Sequence, residues 1–207
     1  MVVAVLAFVL LADRVAVICA QNRLATRIAD RGFAARPRVR IAGFPFLTQL
    51  AAGRMTQVVI SAAGKKLGSV EVKRLDITLR GIRLSFRGVA AAASVCGTAL
   101  VGFTGLAGIA GTAGLAIAAD GSDRVKITVS LGPVTGTATA RVTRAGSAGI
   151  RIALISAGSI PLAALGSLRD TTVPLPALPP GLTIQGVRVT GQGVLVLVGG
   201  QNVTFGT

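Results

Sequence analysis

Strict alternation of apolar and polar residues constrains the fold of this chain more than any other feature. From Arg124 to Leu131, Val, Ile and Leu occupy every second position, while Arg, Lys, Thr and Ser occupy the others. The same period of two continues after Gly132-Pro133 and again from Ile150 to Leu154. Because successive side chains of a strand point to opposite faces, the pattern predicts antiparallel strands with one apolar face.

A long strand with two shifts in its alternation is predicted from Val70 onward. The apolar positions change parity near Lys73-Arg74 and again at Gly81. Each shift requires an irregularity such as a β-bulge, which bends a strand and increases its twist. The sequence therefore predicts a curved sheet that bends around another part of the chain.

The stretch from Gly88 to Ala119 contains no charged residue, and glycine recurs at every third position from Gly102 to Gly114. A membrane-buried helix is one interpretation, but five interior glycines would cost it about 4–5 kcal/mol relative to alanine. We expect instead a strand near residues 97–103, a helical turn near 106–110 and a strand near 115–119. A hairpin turn is predicted at Asp120–Asp123, and a final hairpin across residues 182–198.

The N-terminal residues resemble an export segment. Residues 1–12 are uncharged and almost wholly apolar, but Asp13 and Arg14 would cost a membrane span about as much as the apolar residues contribute, roughly 5 kcal/mol. We expect residues 1–20 to form an export signal or a short membrane anchor, and residues 21–207 to form a single domain. A helical apolar stripe from Val15 to Arg31 favours packing on a sheet over packing on lipid.

Charge favours an anionic lipid partner. The net charge is +15, and the part up to Arg87 carries fifteen Lys and Arg residues against four acidic ones. Such a surplus attracts phospholipid headgroups at a membrane surface. Nucleic acid is disfavoured because Trp and Tyr, which stack on bases, are absent. A merely solvated basic surface remains the alternative.

Enzymatic chemistry has little support in this composition. The chain has no histidine, which removes Ser-His-Asp and Cys-His sites and most zinc sites. Cys19 and Cys96 have no metal-ligand spacing, and we find no nucleotide-binding loop. We predict no enzyme, no cofactor and no metal, although a Ser-Lys dyad stays open.

One segment concentrates aromatic residues in a chain with only seven Phe, namely Gly43-Phe44-Pro45-Phe46 and the residues that follow to Arg54. Pro45 restricts its own φ and favours an extended Phe44. A helical turn is predicted to begin near Phe46 and to end at Gly53. The segment is either a core plug or the lip of a lipid-binding cavity.

Two segments carry a resemblance to a known family. GFPFLTQLAAGR followed by Val58-Val59-Ile60, and LPALPPGL at 175–182 followed by Gly200-Gln201-Asn202-Val203, resemble the actinobacterial LmeA-like phospholipid-binding proteins. The resemblance covers roughly residues 36–205. It implies an exported, often membrane-anchored protein of the cell envelope, with a fold similar to tubular lipid-binding domains. It also implies a link to the synthesis of mannose-bearing lipoglycans.

Pattern and resemblance together predict an α+β fold in which a curved antiparallel sheet is wrapped around a helix. The predicted function is phospholipid binding or handling on the extracytoplasmic side of the cell envelope, and a structural or scaffolding envelope protein without lipid cargo is the alternative. The predicted lipid-binding residues, around a cavity mouth with two basic side chains for an anionic headgroup, are Phe44, Phe46, Leu47, Leu50, Arg40 and Arg54.

Overall fold

The computed structural model describes residues 2–30, 32–67, 70–85, 88–110, 115–131, 134–147, 149–158, 170–174 and 178–205. Its helices are α1 (Val2–Ala29), α2 (Phe46–Ala51) and α3 (Phe103–Ala110). Its strands are β1 (Arg38–Ala42), β2 (Arg54–Leu67), β3 (Val70–Ser85), β4 (Gly88–Val101), β5 (Leu115–Ala119), β6 (Arg124–Leu131), β7 (Val134–Ala145), β8 (Gly149–Ser156), β9 (Asp170–Pro174), β10 (Leu182–Thr190) and β11 (Gly193–Thr204).

The strands form two antiparallel sheets. The larger has the order β1-β2-β3-β4-β11-β10, and the smaller has the order β5-β6-β7-β8-β9. Strands dominate and helices are few, so the predicted α+β class with curved antiparallel sheets is confirmed. That the sheet is wrapped around a helix stays a prediction.

One apolar face of the larger sheet is covered in two parts. At one end, Ala25 of α1 joins a buried cluster with Val58 and Val95, and Leu24 and Ile28 pack against that cluster. At the other end, the smaller sheet packs on β10 and β11 through a buried cluster. That second cluster includes Val125, Ile127, Ala140, Ile184, Val194 and Val196. The apolar stripe of α1 therefore packs on the sheet, as its sequence pattern favours.

Helix α1 runs without a break from Val2 to Ala29, across the predicted division at residue 20. The division into an export or anchor segment and a domain stays a prediction. Among the residues described, no helix combines the length and the hydropathy of a membrane span.

The charge-free stretch forms β4, α3 and β5. The predicted strand–helix–strand order is correct, but β4 begins at Gly88, nine residues before the predicted start. Alanine and glycine have weak strand propensity, so the early part of β4 shows little strand signal of its own. It is fixed by long partners on both sides, β3 and β11. The predicted hairpins between β5 and β6 and between β10 and β11 are also confirmed.

Both predicted shifts occur in β3. The register with β4 changes between Val72 and Arg74, which is the bulge expected near Lys73. At Gly81, φ is +58°, and Leu79 and Ile82 on either side are both buried. The inward-facing positions therefore change parity at Gly81, as the sequence indicates.

The change at Gly81 extends across four strands. Met55 pairs with Ile82 and Gln57 with Arg80, which places Thr56 of β2 opposite Gly81. The same counting places Ala93 of β4 opposite Gly81. It also places Asn202 of β11 opposite Ala93, and φ of Asn202 is +49°. These four residues, Thr56, Gly81, Ala93 and Asn202, form what we call the bend line.

Glycine is required at the centre of the bend line. A Cβ on Gly81 would lie 2.8 Å from the Cβ of Ala93, and the backbone is already left-handed. We expect Gly81→Ala to lower the free energy of unfolding by about 2–4 kcal/mol, from backbone strain plus overpacking. Denaturant unfolding measures this change.

Gly146→Ala is the matched control, because φ is +62° there and a Cβ would meet nothing within 4 Å. It should cost only the backbone strain, about 1–2 kcal/mol. Adding Ala93→Gly to Gly81→Ala should recover the part of the stability loss that exceeds the loss in Gly146→Ala. Equal losses at Gly81 and Gly146, with no recovery, would show that the close approach to Ala93 does not matter.

Candidate functional site

The connection between β1 and β2 places helix α2 beside the bend line. The helix begins at Phe46 and the chain turns at Gly53, where φ is +64°, so the predicted helical turn is confirmed. Phe46 is 2% exposed and points into the interior. Gly43 has φ +110°, and a Cβ there would clash with the side-chain amide of Gln49. Gly43 therefore makes room for Gln49.

Gln49 connects α2 to the bend line. Its Oε1 accepts hydrogen bonds from the Thr56 backbone N–H at 2.9 Å and from the Thr56 hydroxyl at 3.0 Å. Thr56 lies at the rung where the pleat of β2 is interrupted. The side chain of Gln49 thus supplies a hydrogen-bond acceptor to the backbone N–H of Thr56. Without Gln49, this N–H at the irregular position would need water as its acceptor.

Asp13 of α1 caps helix α2. Pro45 at the N-cap has no side chain that can accept a hydrogen bond, but Asp13 Oδ1 accepts one from the Leu47 N–H at 2.8 Å. The Asp13 side chain is buried, with 2% exposure. Beside it, the Arg14 guanidinium lies 5.2 Å from the centroid of the Phe44 ring. The two charges that oppose a membrane span in the sequence therefore bind α1 to the aromatic segment.

A groove with a volume of about 660 Å³ lies between α2 and the bend line. Its lining comes from α2, from the bend line and from the neighbouring residues of β2 and β3. The residues that line it are Gln49, Arg54, Met55, Thr56, Gly81, Ile82 and Arg83. Its size is within the range of small-ligand sites, about 300–1,000 Å³.

Two arginines line this groove from paired positions on neighbouring strands. Arg54 of β2 and Arg83 of β3 are directly opposite in the antiparallel ladder, so their side chains share one face with Cβ atoms about 5 Å apart. Within the described ranges neither forms an ion pair; the ion pairs there join Asp123 to Arg124 and Arg141, and Asp170 to Arg151. Like charges placed opposite each other are unfavourable, so an anion between them is favoured.

The six residues predicted for lipid binding occupy three environments. Arg54 lines the groove, and Phe46 is buried beneath α2. Phe44, Leu47 and Leu50 are exposed at 53%, 41% and 45%. Arg40 is exposed on β1 and lies outside the set that lines the groove. The structure thus brings Arg54 together with Arg83 rather than with Arg40, and the role of the six in lipid binding stays a prediction.

Arg83 and Gln49 were not among the residues predicted from sequence. A signal for Arg83 exists in the chain, because only Gly68-Ser69 separates Leu67 from Val70, and these two residues pair. Counting outward from a two-residue connection puts Arg83 opposite Arg54. The contact between Asp13 and Leu47 has no such signal, because it joins residues 34 positions apart.

The second motif supports the other end of the bend line. The Pro180 carbonyl accepts a hydrogen bond from the Thr204 N–H at 3.2 Å. A Cβ on Gly200 would clash with the carbonyl oxygen of Gly181, so the two backbones need this close approach. Asn202 follows two residues later. The earlier part of the motif, residues 175–177, lies outside the described residues.

The cap on α2 can be tested with two substitutions at one position. Asp13→Ala leaves the Leu47 N–H without its acceptor, and we expect a loss of about 2–3 kcal/mol in the free energy of unfolding. Asp13→Asn keeps a carbonyl oxygen for the same hydrogen bond and should cost less than about 1 kcal/mol. Urea unfolding of the two variants measures the difference. Similar losses for Ala and Asn would rule out the cap as the role of Asp13.

Comparison with known proteins bears on the same region. Residues 11–198 match the family model of the LmeA-like phospholipid-binding proteins. The matched range includes Asp13, helix α2 and every residue that lines the groove. No curated protein and no solved structure matches the chain significantly.

Proposed function

We propose, from the premise that the chain belongs to the LmeA-like phospholipid-binding family, that its groove between α2 and the bend line holds the lipid headgroup. In this proposal the phosphate lies between Arg54 and Arg83. Met55 and Ile82 also line the groove, but they pack into the core beneath it, with Ile82 only 1% exposed, so the acyl chains lie outside the groove.

The observation that carries the proposal is the pairing of Arg54 with Arg83 at the groove. Arginine presents several N–H donors in a planar fork that matches the oxygens of a phosphate. A phosphate between Arg54 and Arg83 would replace their mutual repulsion with two charge-assisted interactions. An anionic headgroup is favoured over a zwitterionic one, because choline or ethanolamine would bring a third cation to the same place.

The proposed setting is the extracytoplasmic side of the cell envelope, where the protein is exported or anchored through its N-terminal segment. Support comes from the apolar residues 1–12 and from the resemblance of the two motifs. A contribution to lipoglycan (mannan) elongation belongs to the same proposal. Since the family is one of lipid-binding proteins, we propose a binding role and no catalysis.

Short-chain lipids that stay monomeric in water test the groove by calorimetry. Arg54→Gln and Arg83→Gln should each weaken binding of dihexanoyl-phosphatidylglycerol about tenfold, since each removes a charge-assisted contact. Dihexanoyl-phosphatidylcholine should lose less affinity. Arg188→Gln is the charge-matched control, because Arg188 is exposed on β10, away from the groove. Arg40→Gln tests the other arginine predicted from sequence.

Two results would contradict the proposal. If Arg54→Gln and Arg83→Gln weakened the binding of both headgroup classes equally, the arginine pair would not have the role assigned to it. No binding of either lipid, together with a lipid-free mass of the purified protein in native mass spectrometry, would favour the scaffolding alternative.

A further inference from the structure

We propose that the N-terminal half of α1 and the outer face of α2 form one membrane-docking surface, whose occupant is an anionic lipid bilayer. The proposal rests on the proposed function and deepens it. It places the acyl chains of the bound lipid in the membrane while the headgroup enters the groove.

The exposed apolar residues are concentrated in these two elements. Within the described part of the chain, eleven large hydrophobic side chains are exposed, and all but Ile155 and Leu197 lie on α1 or in the α2 segment. Scattered exposed apolar residues are ordinary, whereas a contiguous group marks an interaction surface. The group consists of Phe8, Val9, Leu10, Leu11, Val15, Ile18, Phe44, Leu47 and Leu50.

Two contacts hold the halves of this surface together. The Asp13 carboxylate binds the Leu47 N–H, and the Arg14 guanidinium lies over the Phe44 ring. Val9 and Leu10 precede Asp13 by one helical turn and so lie on the α2 side of α1. The apolar end of α1 is therefore continuous with α2 rather than a separate patch.

The distribution of apolar residues around α1 favours a bilayer over a protein groove. Phe8, Leu11, Val15 and Ile18 follow helical spacing on the side away from Asp13, while Val9 and Leu10 lie toward it. All six are exposed. A partner groove or a second copy would cover one face of a helix, whereas acyl chains surround it.

Charge at the border of the surface complements anionic headgroups. Arg14 lies within it, Arg54 follows α2 after a two-residue turn, and Arg23 and Arg27 are exposed further along α1. Asp13 is the acidic residue of this part of α1, and it is buried. Arginines at such a border can extend to the phosphate level while their neighbours enter the apolar layer.

The groove is then held at headgroup depth. Leu50 is exposed on α2, Gln49 beside it lines the groove, and Arg54 begins β2 after the turn at Gly53. When Leu47 and Leu50 enter the acyl layer, Arg54 and Arg83 lie level with the phosphates. The protein would thus engage a lipid within the membrane instead of extracting it.

Tryptophan fluorescence tests insertion directly, because the chain contains no Trp. In the full-length protein, Leu50→Trp should shift its emission to shorter wavelength on vesicles of phosphatidylglycerol and phosphatidylcholine. Lipids brominated in the acyl chains should quench it. Leu197→Trp is the matched control, since Leu197 is also exposed but lies on β11, and it should show neither effect.

Vesicle flotation tests the energetic role of the same residues. Leu47→Ser with Leu50→Ser should weaken vesicle binding about tenfold or more, since two apolar side chains lose their burial. Ile155→Ser with Leu197→Ser, the matched pair elsewhere, should change it less than about twofold. Thermal unfolding should be unchanged in the α2 variant, so that weaker vesicle binding reports lost docking rather than lost structure.

Three outcomes would overturn the docking surface. The first is equal vesicle binding by the α2 variant and the matched pair, and the second is an unquenched Trp at position 50. The third is an unaltered protein that binds no vesicles but forms a dimer, which the α2 variant loses. Vesicle binding through these leucines with no short-chain lipid bound by the unaltered protein would instead support docking and contradict the proposed function.

Discussion

The interruption of the pleat along one line across four strands is the constraint on which the candidate site depends. At Thr56, Gly81, Ala93 and Asn202 the inward-facing positions change parity together, so the sheet stays registered while it changes direction. Two of these residues have positive φ. At this line the Thr56 N–H donates its hydrogen bond to the Gln49 side chain. The groove that Arg54 and Arg83 line lies beside it.

The two sequence motifs can be understood as supports for that line. In the first, Gly43 makes room for Gln49, which binds Thr56 at one end of the line. In the second, the close approach of Gly181 and Gly200 positions the chain just before Asn202, at the other end. The motifs lie far apart in the sequence but stabilise one feature. Their spacing therefore reflects the geometry of the sheet, and Arg54 at the end of the first motif also lines the groove.

Local patterns could be predicted from the sequence, and long-range contacts could not. Alternation identified β6 to β8, and the parity changes at Lys73 and Gly81 identified the irregularities of β3, because both signals lie within one strand. The start of β4 was missed because alanine-rich residues become a strand only between β3 and β11. For Asp13 the sequence indicates only that its charge opposes membrane insertion. Its role as a cap could not be predicted, since its partner Leu47 is distant in sequence.

Hydrogen–deuterium exchange with and without dihexanoyl-phosphatidylglycerol tests most directly whether phospholipid binds at the bend line. Exchange should slow in peptides that cover residues 44–57 and 80–84, which contain α2 and both arginines of the groove. Peptides from β6 to β8 should not change. Protection confined to the smaller sheet, or no protection at a saturating lipid concentration, would contradict phospholipid binding at the bend line.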